Sequence, residues 1–522
     1  MEEISRRSVL AGSIGAGVAA LGGLGLPFEA LAAAAPRDPL LVATSGGLVR
    51  GRIEEVMQGR KGEAVRVFTG IPYGTAARFA APRPARAWHG EWDATRPPRA
   101  APQPEGFDPL PATQAEDCLQ LNVWAPAAPG RYPVVVWIHG GANETGWSGA
   151  ALTTGERFAA QGVICVSVNY RLGALGYCEL GHVLGRGYAG SGNNGIRDLV
   201  LALQWVRANI AAFGGNPGRV TLMGESAGGK NVVTLMATPA ADGLYARAIV
   251  CSGGGQTVYN PGEAAAFANA VVARLGGRER LLVAPFPAII EAQVAARREW
   301  PRNMAFRAVV DGMFLPQMPL TRMVEGRVPR VPLLVGSNAD ESRLFLSPAQ
   351  AAKPLWSQQV SNETMARMAT LNRSYAQAYP ELSEAERRWK LLTAEEYGMP
   401  NLRLAEAHAA RGASVWHYRL ALPAPGGPHR GSSPHVLDVP LTFDHVTNPV
   451  AAQMFGYSAA EQPVADAWHG AMVAFIKGSA PSTPAWPAWP RFKADRRASM
   501  VVARNASVVD DLDRAERALW GE

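Results

Sequence analysis

The stretch at residues 213–228 reads FGGNPGRVTLMGESAG and contains the motif on which the fold prediction rests. Its end, Gly224–Gly228, matches the pattern G-x-S-x-G, in which a serine occupies a sharp turn between a strand and a helix. The apolar run Val220–Met223 precedes this motif, and Gly229–Met236 continues it as the start of a helix. We therefore predict that Ser226 is a nucleophile at the end of a strand. A plain glycine-rich turn with a capping serine would explain the motif but not its flanks.

Short apolar runs alternate with helical patterns on both sides of this motif. The candidate strands are Val134–Ile138, Val163–Val168, Val220–Met223, Ala248–Cys251, Val331–Val335 and Val415–Leu420. Most of them are almost continuously apolar, as strands covered on both faces are. A helix is predicted by apolar residues spaced three and four apart, namely Ile196, Leu199, Leu203, Val206 and Ile210. The alternation predicts an α/β fold with a mostly parallel central sheet and helices on both faces.

Three segments depart from this alternation. Thr44–Pro104 consists of short alternating pieces rich in Gly and Pro, which predicts an antiparallel edge and loops that cover the sheet. Pro261–Arg298 and Ala349–Ala410 have polar helical patterns, and we interpret both as insertions that wall a gorge above the sheet. Because no low-complexity linker or internal repeat interrupts the chain, we predict one domain over residues 35–522.

The quoted stretch is similar, at every defined position, to the active-site signature of the type-B carboxylesterases, the family that includes the cholinesterases. Further segments resemble the family in its own order: GIPY at 70–73, EDCLQLNV at 116–123, NYRLG at 169–173, and GNNG at 192–195 leading into Asp198. The resemblance covers essentially all of the chain after its leader. It implies an α/β-hydrolase fold and hydrolysis of small-molecule carboxylic esters, with neither a metal nor an organic cofactor.

The sequence HGGA at 139–142 resembles the family loop whose backbone N–H groups bind the oxyanion. Fixed donors aimed at a developing negative oxygen are worth about 3 kcal/mol each. The resemblance implies that these donors are Gly141, Ala142 and Ala227. The family usually has Phe at the next position, where this chain has Asn143. That departure leaves the donors intact and leaves the residues that line the substrate pocket undetermined.

A serine nucleophile needs a base, and histidine both accepts and returns a proton near neutral pH. His435 lies in a Gly/Ser/Pro-rich loop just past Val415–Leu420, the last strand that the apolar runs predict. Its segment, residues 434–443, resembles the family's catalytic-histidine segment, so we predict that His435 is the base. His429 and His445 remain the alternatives. Packing positions in a strand or in helices account for the other late histidines, namely His408, His417 and His469.

The third member of such a triad accepts a hydrogen bond from the second imidazole nitrogen. The run GSNADES at 336–342 follows the strand Val331–Val335 and is similar to the family's acid-bearing turn, which implies Glu341 as the acid. Asp340 is the alternative, although a shift of one residue in a turn directs its carboxylate elsewhere. Ser252 matches a serine beside the family's triad that would hydrogen-bond the acid or the base. Its other interpretation is an ordinary turn residue.

The first 34 residues have the features of an export signal. SRRSVL at 5–10 precedes a Gly/Ala/Leu-rich stretch and the small-residue run Ala32–Ala35, a pattern that resembles a bacterial twin-arginine signal. We predict that residues 1–34 are removed and that the enzyme acts in the periplasm or outside the cell. GAGVAA at 15–20 also fits the dinucleotide pattern G-x-G-x-x-A, but paired arginines and not a buried strand precede it.

Composition excludes several other classes of function. The net charge is +7, but the arginines are scattered among acidic residues without a basic run, which argues against nucleic-acid binding. No stretch is long and apolar enough to be a convincing membrane span. The cysteines lack the C-x-x-C spacing of zinc and redox sites. Cys118 matches a cysteine that is disulfide-bonded in the animal enzymes, but no cysteine stands near Ala101, where its partner would fall, so we expect a buried, unpaired thiol.

Two alternatives to ester hydrolysis remain open from the sequence. The same triad would cleave an amide, a carbamate or a thioester. The scaffold could also serve as a binding module, as in relatives that have lost the triad, although the intact Ser, acid and His argue against this.

Overall fold

The central element of the protein is a mixed β-sheet. A computed structural model describes residues 38–58, 61–106, 113–301, 304–351 and 362–521. Within these ranges eleven strands pair in one sheet. Labelled in chain order, they are β1 Arg52–Gln58, β2 Lys61–Pro72, β3 Gln120–Pro126, β4 Tyr132–Ile138, β5 Ile164–Val168, β6 Gly215–Glu225, β7 Arg247–Cys251, β8 Leu333–Asn338, β9 Val415–Leu420, β10 Ala498–Val502 and β11 Ser507–Asp510.

The strand order across the sheet is β11-β10-β9-β8-β7-β6-β4-β5-β3-β2-β1. The seven strands from β4 to β10 pair in parallel, and the antiparallel pairs lie towards the two edges. Smaller sheets contain the short strands Leu41–Thr44, Gly47–Arg50, Gly74–Thr75, Arg83–Pro84, Glu91–Asp93, Val258–Tyr259 and Ala308–Val309. The predicted mostly parallel α/β sheet is confirmed.

Helices cover both faces of the sheet. In chain order they are α1 Glu156–Ala160, α2 Gly173–Tyr177, α3 Gly181–Leu184, α4 Asn194–Asn209, α5 Ala227–Met236, α6 Pro261–Leu275, α7 Phe286–Glu299, α8 Pro319–Val324, α9 Pro348–Ala351, α10 Asn362–Ala378, α11 Glu384–Thr393, α12 Met399–Ala410, α13 Val439–Thr442, α14 Pro449–Phe455, α15 Gln462–Lys477 and α16 Arg514–Trp520. Along β4, Val134 and Val136 belong to one hydrophobic core, and Val135 and Trp137 belong to the other. Burial on both faces explains why the central strands are continuously apolar.

All six predicted strands are present, but β9 is not the last strand of the sheet. β10 and β11 follow it and extend the sheet at one edge. They were missed because Ser499 interrupts the apolar residues of β10 and because both ends of β11 are exposed. The prediction that His435 follows the last strand is therefore wrong in its wording, although His435 does follow β9.

The segments that depart from the alternation contain the predicted antiparallel strands and helices. β1 and β2 form an antiparallel pair within Thr44–Pro104. The first insertion contains α6 and α7, and the second contains α10 to α12 with a π-helical turn at Ala394–Gly398. The second insertion supplies Glu396 and Tyr397, which lie beside the predicted site, as described below.

A buried ion pair joins two of the segments that carry the family resemblance. Arg171 donates from Nε and Nη2 to the two carboxylate oxygens of Asp198, at 2.8 and 2.7 Å, and its backbone N–H donates to the same carboxylate. Arg171 Nη1 also donates to the carbonyl of Ala80 at 2.6 Å. The side chains of the pair are 4% and 0% exposed, so both charges depend on each other for compensation.

Residues Leu40–Glu522 form one compact unit. The predicted signal, residues 1–34, lies outside the described residues. In the part of the chain that is described, no helix is both long and apolar enough to cross a membrane. The cysteines in this part are all buried and unpaired, as expected for Cys118: they are Cys118, Cys165, Cys178 and Cys251.

Candidate active site

Ser226 occupies a tight turn between β6 and α5. Its backbone has φ 57° and ψ −125°, which places a residue other than glycine in a strained region. Glycines make this turn possible: a Cβ on Gly224 would lie 2.4 Å from the carbonyl carbon of Gly228, and one on Gly228 would lie 2.0 Å from the carbonyl oxygen of Ile138. The predicted strand–turn–helix arrangement is therefore present.

The predicted acid and base are in direct contact. His435 lies in the loop between β9 and α13, and its Nδ1 is 2.5 Å from Glu341 Oε2. Glu341 begins the turn that follows β8. Its other oxygen, Oε1, accepts hydrogen bonds from Ser252 Oγ at 2.6 Å and from the backbone N–H of Asn338 at 2.7 Å. Ser252 therefore hydrogen-bonds the acid, and three donors fix the carboxylate of Glu341.

The second contact of the predicted triad is not formed in this structure. His435 Nε2 has no hydrogen-bond partner among the described residues. Its nearest charged neighbour is Glu225 Oε1, at 3.1 Å. The structure thus brings His435 and Glu341 together but leaves the Ser226 hydroxyl without a hydrogen bond to the imidazole. Such catalytic hydrogen bonds are often long in free enzymes and shorten when substrate binds.

The alternatives for the acid and the base are engaged elsewhere. Asp340 Oδ2 accepts a hydrogen bond from the backbone N–H of Ser433 at 2.9 Å. His445 Nε2 lies 2.9 Å from Glu156 Oε1. His429 packs against the ring of Phe455, with 6.3 Å between ring centroids. The histidines predicted to be packing residues contact Val331 O, Ser499 Oγ and Thr442 O, in the order His408, His417 and His469.

Acidic groups surround the buried imidazole of His435. Burial lowers its pKa, but the carboxyl groups of Glu225 and Glu341 outweigh this effect and raise the pKa to about 9. Burial raises the pKa of Glu225 to about 8 and that of Asp438 to about 6, and in Asp438 the nearby Glu341 adds to the effect. Because Glu225 and His435 are in contact, a proton on one group changes the proton affinity of the other.

The predicted oxyanion donors lie on the same side of the turn. Gly141 and Ala142 have positive φ values of 103° and 58°, which turn the loop after β4 sharply. Ala227 is the first residue of α5, where backbone N–H groups have no partner within the helix. Among the described residues, none of these three N–H groups donates a hydrogen bond.

Asn143 occupies a left-handed backbone position, with φ 57°, and its side chain is buried. Its Nδ2 donates to the carbonyl of Phe306 at 3.0 Å, and its Oδ1 accepts from Asn231 Nδ2 at 2.9 Å. Asparagine tolerates this conformation better than most residues. Where the family usually has an aromatic ring, this chain has an amide that ties the oxyanion loop to its surroundings.

Two cavities flank Ser226. The larger has a volume of about 790 Å³, including its mouth, and its walls contain Glu225, Gly141 and Val436, the neighbour of His435. The smaller has a volume of about 270 Å³, measured in the same way, and it is lined by both Ala142 and Ala227. Of the predicted oxyanion donors, Gly141 therefore lines the larger cavity, and Ala142 and Ala227 line the smaller one.

A buried lysine in the smaller cavity was not anticipated from the sequence. Lys230 stands four residues after Ser226 in α5 and is 5% exposed. Its Nζ donates to Thr257 Oγ1 at 2.9 Å, forms an ion pair with Glu396 and lies 5.3 Å from the ring centroid of Tyr397. Tyr397 in turn packs against the imidazole of His435, at 4.8 Å between centroids. Lys230 is the one charged residue of α5, and this was the local signal for the cluster.

Comparisons with known proteins agree with this geometry. Residues 38–520 match the model of the Carboxylesterase family. The chain is 33% identical over 461 residues to the para-nitrobenzyl esterase of Bacillus subtilis (strain 168), which covers 85% of this chain and 91% of that protein. It is 29% identical over 469 residues to the fumonisin B1 esterase of Sphingopyxis macrogoltabida, with 85% of each chain covered. A crystal structure of a Geobacillus stearothermophilus carboxylesterase at pH 6.2 superposes with a TM-score of 0.80 at 33% identity, covering 92% of this chain and 100% of that one.

Proposed function

The chain belongs to the carboxylesterase family and is a carboxylic ester hydrolase, and on this premise we propose that it works through an acyl-enzyme formed on Ser226. In this proposal His435 is the general base and acid, and Glu341 orients its imidazole. The observation that carries the proposal is the 2.5 Å contact between His435 Nδ1 and Glu341 Oε2, made beside a serine on a strained turn.

The reaction proceeds in two halves. Ser226 Oγ attacks the ester carbonyl while His435 Nε2 takes the hydroxyl proton, and the alcohol leaves with that proton. A water molecule then loses its proton to His435 Nε2 and attacks the acyl carbon. When the bond from that carbon to Ser226 Oγ breaks, His435 returns the proton to Ser226 Oγ and the carboxylic acid is released. In each half the negative oxygen is stabilised by the N–H groups of Gly141, Ala142 and Ala227.

The first half requires that Ser226 donates to His435 Nε2. The nearest charged neighbour of Nε2 is Glu225 Oε1, at 3.1 Å. We propose that substrate binding exchanges this contact for the hydrogen bond with Ser226, since a bound ester excludes water and brings the reacting groups into line.

The same chemistry assigns the two cavities. The leaving alcohol must receive a proton from His435, so it lies on the side of the larger cavity, whose walls contain Glu225 and Val436. The acyl group then extends into the smaller cavity, beyond Ala142 and Ala227. The larger, more open space is therefore available to the alcohol and the narrower one to the acyl chain.

The decisive variant is Ser226→Ala. We expect it to lower kcat for an activated ester by several orders of magnitude and to leave the thermal unfolding temperature nearly unchanged, because only one buried oxygen is removed. The matched control is Ser507→Ala, at an exposed position of the edge strand β11, which should retain full activity. Retention of turnover in Ser226→Ala would exclude the proposed nucleophile.

A covalent probe gives an independent test. A phosphonate ester should modify the protein at one residue, and peptide mass spectrometry should locate the adduct on Ser226, with no adduct in Ser226→Ala. An adduct on another serine would contradict the acyl-enzyme proposal even if esterase activity is high.

We also propose that the protein is exported by the twin-arginine route, on the basis of SRRSVL at 5–10 and the run Ala32–Ala35. Fractionation of cells that express the full chain should place the activity outside the cytoplasm. The variant with Arg6→Lys and Arg7→Lys should retain it inside, and the exported protein should begin between residues 33 and 36. Export of the double variant at the normal rate would contradict this route.

A further inference from the structure

The smaller cavity beside Ser226 contains a buried cation. Lys230 lines this cavity together with Ala142 and Ala227, the residues that carry two of the proposed oxyanion donors. Burial of an ammonium group is costly unless each of its hydrogens has a partner or the charge is compensated. The ion pair with Glu396 compensates this charge and holds the ammonium group in the residue that lines the cavity.

The hydrogen-bond partners of Lys230 use only part of the donor capacity of its ammonium group. Its ammonium group has three hydrogens. One is donated to Thr257 Oγ1 at 2.9 Å, and another to Glu396 Oε1. No third acceptor is among the contacts of Lys230 in the described residues. The remaining neighbour of the ammonium group is the face of the Tyr397 ring, with 5.3 Å between Nζ and the ring centroid, a weak contact that an acceptor oxygen in the cavity would replace.

The charged groups around this cavity do not give it a net negative charge. Lys230 and Arg307 are both buried cations, and Glu396 is the carboxylate paired with Lys230. Burial, reinforced by Glu396, raises the pKa of the next carboxyl group, Glu395, to about 7, so that it carries less than a full charge near neutral pH. The cavity thus favours acceptor groups and tolerates an anion.

The wall of the smaller cavity also contains uncharged polar side chains. Polar side chains that line the cavity with Lys230 are Asn143, Asn231, Thr234 and Thr257. Its apolar members include Phe306, and the enclosed part of the space has room for little more than a water molecule, so the end of a short acyl chain reaches it and a longer chain does not. A long hydrocarbon chain would meet both the polar wall and the small volume unfavourably.

We propose that Lys230 makes this cavity selective for short acyl groups that carry an acceptor oxygen, an inference that rests on the acyl-enzyme proposal above. Lys230 donates its remaining N–H to that oxygen, which is an ether, a hydroxyl or a carboxylate oxygen on the acyl chain. It is a specificity-determining residue and takes no part in the proton transfers at Ser226.

Two pairs of esters test this selectivity. p-Nitrophenyl methoxyacetate and p-nitrophenyl butyrate have the same leaving group and the same chain length, and differ by an oxygen in place of a methylene. Dividing each kcat/KM by the rate of hydroxide-catalysed hydrolysis removes the difference in carbonyl reactivity. Monoethyl succinate against ethyl pentanoate, followed by titration of released acid, repeats the comparison with a carboxylate and so separates anionic from neutral acceptors.

The unmodified enzyme should favour the oxygenated ester about tenfold in at least one pair, the effect of one hydrogen bond from a charged donor. Lys230→Met removes the donor at similar length, and Lys230→Met with Glu396→Gln also removes the carboxylate that would be left unpaired. Both should lower the ratio about tenfold, whereas Lys493→Met, at an exposed lysine, should leave it unchanged. Thermal unfolding identifies any variant that has lost its fold.

The outcomes separate the two proposals. If the unmodified enzyme prefers the hydrocarbon member of both pairs, the selectivity inference is wrong whatever the variants do. It is also wrong if the folded variants keep the original ratio. Loss of all turnover in Ser226→Ala together with either result would leave the acyl-enzyme proposal intact. Turnover that persists in Ser226→Ala would instead remove the basis of both.

Discussion

Two buried charged clusters in this protein are built in opposite ways. In the first, Asp198 faces the single guanidinium of Arg171, which meets both carboxylate oxygens at 2.7–2.8 Å. In the second, the imidazole of His435 lies 2.5 Å from Glu341 and 3.1 Å from Glu225, with Asp438 as a further acidic neighbour. The first cluster is balanced, and the second has more acidic groups than one imidazole can neutralise.

The difference shows what each cluster is for. In the balanced pair, burial raises the pKa of Asp198 and the guanidinium of Arg171 opposes this effect, so the pair holds two segments of chain together. In the acid-rich cluster, burial raises the pKa of Glu225, and the carboxyl groups of Glu225 and Glu341 raise the pKa of His435 against the effect of burial. Groups of this kind exchange protons near neutral pH, as general acid–base catalysis requires.

The largest effect on activity is expected when the acid proposed to orient the imidazole is removed. We expect Glu341→Gln to lower kcat about 10³- to 10⁴-fold, because an amide no longer holds the required tautomer of His435 or stabilises the imidazolium. The free energy of unfolding should change little, since repulsion among the buried carboxyl groups is relieved. Asp340→Asn is the matched control and should keep at least a tenth of the activity. A loss below tenfold in Glu341→Gln would contradict the proposed role.

The balanced cluster should show the reverse behaviour. Asp198→Asn leaves the charge of Arg171 buried without its counter-charge, and we expect a loss of about 3–5 kcal/mol in the free energy of unfolding. Chemical denaturation measures this, and kcat of the protein that remains folded should stay within a few fold. The control Asp510→Asn breaks the exposed pair with Arg496, in which both side chains are 52% exposed, and should cost at most about 1 kcal/mol. Equal losses of unfolding free energy in Asp198→Asn and Asp510→Asn would show that the buried pair stabilises the protein no more than the exposed pair does.

A smaller change tests how firmly the acid is held. Ser252→Ala removes the 2.6 Å hydrogen bond to Glu341 Oε1 and keeps the one from the backbone N–H of Asn338. We expect kcat/KM to fall about tenfold, the effect of one hydrogen bond to a charged group. Ser252→Thr, which retains the hydroxyl, should recover part of this loss if the bond and not the volume matters.

The smallest expected effect is a shift in the pH profile. Glu225 is the foremost neighbour that raises the pKa of His435 to about 9. In Glu225→Gln the opposing effect of burial is less compensated, so the pKa of His435 should fall. Because the base must be unprotonated to act, the acid limb of kcat/KM should then move to lower pH. A limb that stays in place or moves to higher pH would show that Glu225 does not act on His435 in this way.

Local sequence patterns predicted the parts of this structure that depend on local chemistry. The six buried strands and the turn at Ser226 each follow from a short run of residues. The contact between Glu341 and His435 spans 94 residues and was predicted because each lies in a segment that resembles the family. Lys230 and Glu396 are 166 residues apart, and no pattern in either segment indicates that they meet. Glu225 was overlooked because it occupies a position that the nucleophile motif leaves undefined.

The reactivity of the buried cysteines reports on local unfolding of the protein. All four thiols in the described residues are unpaired and buried, and burial raises the pKa of Cys118 and of Cys178 to about 12. Ellman's reagent reacts with thiolates, so native protein should release almost no colour, and each event that opens the sheet should expose a thiol within reach of the reagent. The rate of colour release under mild denaturant therefore measures how often the folded protein opens.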